Sequence, residues 1–175
     1  MLIVFAGLPG TGKTTLSRRL AAELSAAVVR VDAIEAAIVR STDLPRPLGP
    51  VGYVVAHEVA AACLAVGTTV VIDAVSPVPE ARAGWRTLGA AAGVPVQVFE
   101  VVLFDLAEHR RRVRARGSDL NGLVVPTWSE VLVYDYQPWD PGRDGPRTII
   151  DGLDADEALT AVHVQLEPST ARTKP

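Results

Sequence analysis

Gly7-Leu8-Pro9-Gly10-Thr11-Gly12-Lys13-Thr14 has the spacing G-x-x-x-x-G-K-[ST] of a phosphate-binding Walker A loop. Such a match carries weight only in the right setting. Here the apolar run Leu2–Ala6 precedes it and reads as a buried strand. Leu16, Leu20 and Leu24 follow four residues apart, one face of a helix over 14–24. A glycine-rich turn with an incidental lysine would not need all four fixed positions and both flanks to agree. The glycines let the backbone wrap around phosphate, with N–H groups aimed inward at a helix N-terminus whose dipole favours anions. Gly7, Gly10, Thr11, Gly12, Lys13, Thr14 and Thr15 are therefore the expected nucleotide contacts. Lys13 is the point charge for the β- and γ-phosphates, and Thr14 offers a hydroxyl to Mg²⁺.

Outward from the loop, apolar runs alternate with helical patterns, as in βαβ units with a parallel sheet. Ala27–Val31 reads as a second strand ending at Asp32, 33–40 as a helix, and 45–50 as a proline-rich break. A helix over 53–66 closes at Gly67, and 68–73 is the clearest central strand. A helix over 80–92, a strand over 96–104 and an arginine-rich helix over 107–116 follow. Residues 117–127 read as a loop, 128–134 as a short helix, 143–146 as a turn, 148–151 as a fifth strand and 155–166 as a closing helix. The expectation is one α/β domain over 1–166 with a C-terminal tail over 167–175.

Composition narrows the function classes. The chain has 175 residues, 49% of them apolar and 21% charged, enough to bury a core. Its net charge is −3 and its pI about 5.6, which argues against a broad nucleic-acid footprint. Cys63 alone cannot form an internal disulfide, and His57, His109 and His163 have no metal-ligand spacing. No apolar run reaches bilayer length. A cytoplasmic protein, monomer or homodimer and away from membranes, is expected. Among 17 basic residues only Lys13 and Lys174 are lysines, so a lysine is kept where a compact charge is needed.

Absences also count. Asn121 is the only asparagine, so the Asn-Lys-x-Asp guanine-reading motif cannot occur. The chain is too short for the helical lid of a large ring ATPase. The strand Val70-Val71-Ile72-Asp73 is followed by Ala74, without the second acidic residue that polarises water in many ATPases. Transfer to a bound acceptor is favoured over hydrolysis.

In a parallel sheet the carboxyl ends of strands face the ligand crevice. Asp32 there is either the base that accepts a hydroxyl proton or the N-cap of the helix that follows. Asp73 is either a contact to acceptor or Mg²⁺ through water, or a strand-end residue. Arg112 and Arg116 share a helical face and are candidates for neutralising transferring phosphate and stacking on adenine. Arg110 and Arg111 read as solvated. Arg40, Tyr53, His57, Ser76 and Arg82 follow the second and third strands and are the candidate acceptor contacts. Trp128, Tyr134, Tyr136 and Trp139 are candidates for the far wall.

Taken together, GLPGTGKTT (Gly7–Thr15), Asp32 with Arg40, VVIDA (Val70–Ala74) and the R-x-x-x-R of Arg112 and Arg116 resemble the small P-loop kinases of the nucleoside-monophosphate-kinase-like, "AAA domain" class. Chloramphenicol phosphotransferase, zeta-toxin-type kinases, gluconate kinase and the kinase domain of polynucleotide kinase belong to that class. The resemblance covers about residues 1–165. It implies a five-stranded parallel sheet of order 2-3-1-4-5 and a mobile lid bearing the two arginines. It also implies ATP and Mg²⁺ as donor and cofactor, with the strand-end aspartate as base. No single member is matched closely enough to pass on its acceptor. Expected is a kinase acting on a hydroxyl of a small molecule, metabolite or antibiotic. A 5′-hydroxyl polynucleotide kinase and a nucleotide-binding regulatory module are the alternatives.

Overall fold

In the computed structural model, described over residues 1–44, 48–121 and 124–166, β1 (Leu2–Ala6) is the middle of the sheet. All five of its residues are buried, as a parallel strand covered on both faces must be. Leu2 and Val4 point into one layer, Ile3 and Phe5 into the other. The strands β2 (Ala27–Arg30), β3 (Val70–Asp73), β4 (Val96–Val102) and β5 (Thr148–Asp151) complete an all-parallel sheet of order β2-β3-β1-β4-β5. That is the order implied by the resemblance.

The helices are α1 (Lys13–Leu24), α2 (Val31–Ser41), α3 (Val51–Ala65), α4 (Pro79–Ala91), α5 (Leu106–Ala115), α6 (Trp128–Leu132), α7 (Pro141–Asp144) and α8 (Ala155–Leu166). Leu16 and Leu20 of α1 join Leu159 and Val162 of α8 on one face of the sheet. Ala56, Ala60 and Leu64 of α3 join Trp85 of α4 on the other. Leu24 is 40% exposed, so the expected leucine stripe fades at the end of α1. Among the described residues no helix is long and apolar enough to cross a membrane.

Several boundaries differ from the sequence reading. β2 stops at Arg30, and α2 begins at Val31 with Arg30 as its N-cap. Asp32 is therefore not the cap. It stands in the first turn, where the helix dipole still favours a carboxylate. Residues 143–146, read as a turn, overlap α7, a single turn capped by Asp140, whose Oδ1 accepts from Gly142 N at 2.8 Å and Arg143 N at 3.3 Å. The expected tail over 167–175 lies outside the described residues.

Candidate active site

The loop between β1 and α1 begins with a close approach that only glycine permits. Gly7 has φ 131°, and a Cβ there would run into the carbonyl oxygen of Val101. Its N–H donates to Val75 O at 3.1 Å, which ties the loop to the β3–α4 connection. At the other end Gly12, φ 107°, leads into α1, and its carbonyl accepts from Leu16 N at 3.2 Å. Between them Lys13 Nζ donates to Leu8 O at 2.8 Å and Thr11 Oγ1 to the same oxygen at 3.0 Å. Lys13 is 7% exposed. Burial lowers its pKa to about 8, against the pull of Asp73 and Asp32.

α5 grips the loop from the side. His109 Nε2 lies 2.8 Å from Pro9 O, and its ring packs edge-on against Trp128 with centroids 5.2 Å apart. Val113 stands where a Cβ on Gly10 would be. His109 directly precedes Arg110 and Arg111, the residues read as solvated. It is 5% exposed, and its role as a strut for the loop had no sequence signal.

Facing the loop is a cleft of about 580 Å³. Of the expected residues, Gly10, Gly12, Lys13, Thr14, Thr15, Asp32, Asp73, Arg112 and Arg116 line it. Gly7 and Thr11 are buried behind the loop. Asp73, 4% exposed, is the register partner of Arg30 across β2–β3. Its Oδ2 and Arg30 Nε stand 3.5 Å apart, and neither has a hydrogen-bond partner among the described residues. Burial pushes the Asp73 carboxyl upward, while Lys13 and the Thr14 hydroxyl pull it down. Asp32 lies 3.5 Å from Arg30 Nη2 and 3.9 Å from Arg116 Nη2.

Arg30 is the largest omission of the sequence reading. It is 6% exposed and holds Asp119 with two bonds of 2.6 and 3.1 Å. Asp119 also accepts from Arg18 at 3.0 Å. That double contact latches the segment after α5 onto α1 and β2. Arg112 reaches the other way, donating to Gly152 O at 2.7 Å, Leu153 O at 2.6 Å and Glu108 Oε1 at 2.7 Å. A smaller recess of about 80 Å³ opens there, between Gly12, Thr15, Leu16 and the β5–α8 turn.

The expected acceptor contacts fall largely elsewhere. Arg40 is exposed and donates to Asn121 O. Tyr53, His57, Ser76 and Arg82 form a packed unit around Trp85, and none of them lines the cleft. Ser76 Oγ accepts from Trp85 Nε1 at 3.1 Å, and Ser76 N donates to Tyr53 Oη at 2.9 Å. His57 packs edge-on against Trp85 at 4.2 Å, and burial lowers its pKa. Arg82 is fully committed: it donates to Ser76 O, Pro77 O, Gln137 O and Asp144. Its guanidinium lies 4.6 Å from the Trp139 ring centroid and 5.2 Å from that of Tyr136. Of the four aromatics considered, only Tyr134 lines the cleft.

A family model described as "AAA domain" matches residues 2–125. The chain belongs to that family. Solved structures place this AAA-domain protein among small P-loop kinases in fold. It is similar to a putative kinase from Chloroflexus aurantiacus (20% identity, TM-score 0.73, covering 95% of this chain and 98% of that one). It is also similar to a sugar kinase from Janibacter sp. (16%, TM-score 0.70, 99% and 98%). A third is Kti12 from Chaetomium thermophilum in complex with ADP-AlF3 (18%, TM-score 0.67, 96% and 100%). A search of curated proteins finds no match. The AAA-domain protein thus has a kinase-like nucleotide-binding fold.

Proposed function

We propose that this protein is an ATP- and Mg²⁺-dependent kinase that transfers the γ-phosphate to a hydroxyl of a small-molecule acceptor. The observation that carries the reading is the convergence of Lys13, Asp32, Asp73 and Arg116 on one cleft beside the phosphate loop. Structures of relatives with ADP-AlF3 and with AMPPNP support a nucleotide in this fold. The N–H groups of Gly10–Thr15 would hold the triphosphate, with Lys13 released from Leu8 O to meet it, and the recess lined by Thr15, Arg112 and Gly152 would take the base. Asp73 Oδ2, buried and without a hydrogen-bond partner among the described residues, and the Thr14 hydroxyl beside it are hard oxygen donors that suit Mg²⁺ directly or through water. When bound, the ion supplies charge neutralisation across the β- and γ-phosphates.

Asp32 accepts the proton of the acceptor hydroxyl as its oxygen bonds to the γ-phosphorus and the bond to the β–γ bridging oxygen breaks, leaving ADP. Arg116, 3.9 Å from Asp32, stands where it can meet the charge of the transferring group. The test is ADP release over an acceptor-free blank, followed by Asp32→Asn with the acceptor found. Turnover is expected to fall about 10²–10⁴-fold with nucleotide affinity unchanged. Retained turnover would remove Asp32 from the chemistry and leave Asp73 as the base. Acceptor-independent behaviour across a broad panel would favour the regulatory-module reading.

A further inference from the structure

The wall of the cleft opposite the phosphate loop carries a residue that the reaction above does not use. Glu35 lies three residues beyond Asp32 on α2, so both carboxylates share one helix face. Glu35 is half-buried and lines the cleft beside Asp32, Val75 and Tyr134. Its side chain is seated over Gly52 in the first turn of α3. A Cβ on Gly52 would collide with Glu35 Cγ and stand 2.7 Å from Oε1. Burial, with Asp32 nearby, pushes the Glu35 carboxyl upward, and both carboxylates act on the Tyr134 phenol.

The cations of the region are placed elsewhere or already matched. Lys13, Arg112 and Arg116 belong to the phosphate and lid side. Arg18 and Arg30 also line the cleft and are both paired with Asp119, Arg30 with Asp32 and Asp73 besides. Arg40 and Arg82 donate to Asn121 O and Asp144, off the cleft. Among the described residues, the α2 side of the cleft therefore presents two carboxylates: Asp32 faces Arg30 and Arg116, and Glu35 has no ion-pair partner. Asp73 Oδ2 on the same cleft has no hydrogen-bond partner among the described residues and faces Arg30 Nε at 3.5 Å.

Resting on the kinase reading, we propose that Glu35 is a specificity-determining residue and that the acceptor is a polyhydroxylated molecule, neutral or amine-bearing. Hydroxyl and ammonium donors satisfy the Glu35 oxygens, and a charged donor gains most. A carboxylate or phosphate on the acceptor meets like charge in a half-buried site and is refused.

The experiment is ATP-dependent ADP release with three sets matched in carbon framework: neutral polyols and sugars with their amino derivatives, sugar acids, and sugar phosphates. Nucleotide binding is measured in parallel. Turnover confined to the first set is expected. Glu35→Gln should raise KM for amine-bearing acceptors about 10–100-fold with kcat changed only a few-fold, and Glu35→Asp should restore part of it. Gly52→Ala, which displaces the carboxylate while keeping its charge, should move KM in the same direction. It also serves if the Gln variant folds poorly. Preferential turnover of acids or phosphates overturns the proposal and leaves the kinase reading standing. An unchanged KM ratio in both variants overturns the role of Glu35. No turnover in any set, with nucleotide bound normally, overturns both.

Discussion

Lys13 illustrates how one residue reports on the whole phosphate site. Its ammonium is buried among amides and has Leu8 O as its only direct acceptor among the described residues, so burial lowers its pKa to about 8. A triphosphate beside it restores the preference for the charged form. Nucleotide binding above pH 8 should therefore take up protons, and affinity should fall as pH rises from 8 toward 10. Calorimetry in two buffers of different ionisation enthalpy at pH 8.5 checks this directly. Lys13→Ala should lose the proton uptake together with most of the nucleotide-induced thermal stabilisation. Equal uptake in both proteins would place the titrating group elsewhere. The Asp32→Asn test belongs to the same scale: Arg30, not Asp32, occupies the cap position, so removing the charge leaves the helix start intact.

At the scale of elements, α5 is a clamp with three attachments. Its start holds the phosphate loop through His109, its middle holds the β5–α8 turn through Arg112, and the segment after it is latched by Asp119 to Arg30 and Arg18. The arginines hold the Asp119 carboxyl down to about 2. Because the folded pKa lies below the ordinary 3.8, this contribution is present above pH 4 and is lost only as pH falls toward 2. The latch is thus insensitive to pH near neutrality and weakened by salt. Arg112 makes the second attachment whereas Arg116 faces Asp32 across the cleft, so their substitutions should separate. Arg116→Ala should lower kcat about 10²-fold with nucleotide Kd nearly unchanged. Arg112→Ala should also raise nucleotide Kd, because the carbonyls of Gly152 and Leu153 lose their organiser. Identical effects on Kd and kcat in the two variants would show that the run acts as one charged face.

For the molecule as a whole, the most deeply buried ion pair among the described residues is that of Arg82, outside the cleft. Arg82 and Asp144 have fully buried side chains 2.8 Å apart, flanked by Tyr136 and Trp139. Arg82→Ala leaves Asp144 with only Arg143 and backbone donors, and should cost about 3–5 kcal/mol, read as a lowered midpoint in urea. KM for the acceptor in the surviving folded protein should hardly move; a large rise would return Arg82 to the acceptor site. This unit also marks where the sequence stopped being legible. The phosphate loop could be read because its residues are contiguous and their backbone does the binding. Asp73 followed from the end of its strand in a parallel sheet, whereas Asp32, read as a strand end, lines the cleft from the first turn of α2. Arg30 and Asp119 could not be read, because strand register and the return of a long connection bring them to the cleft; Glu35 was overlooked although it follows Asp32 by three residues on one helix face. Tyr53, His57, Ser76 and Arg82 follow the right strands, but their polar atoms are turned inward to Trp85 and the 137–144 segment. That same long connection, residues 103–147 between β4 and its neighbour β5, has a kinetic corollary. Closing so long a stretch costs little more than closing a short one, yet β5 pairs on one side only. The last strand and α8 should therefore dock late and open first, as a unit. Since their turn supplies Gly152 and Leu153 to the nucleotide recess, hydrogen exchange in this C-terminal unit should slow on nucleotide binding, well away from the loop that names the fold.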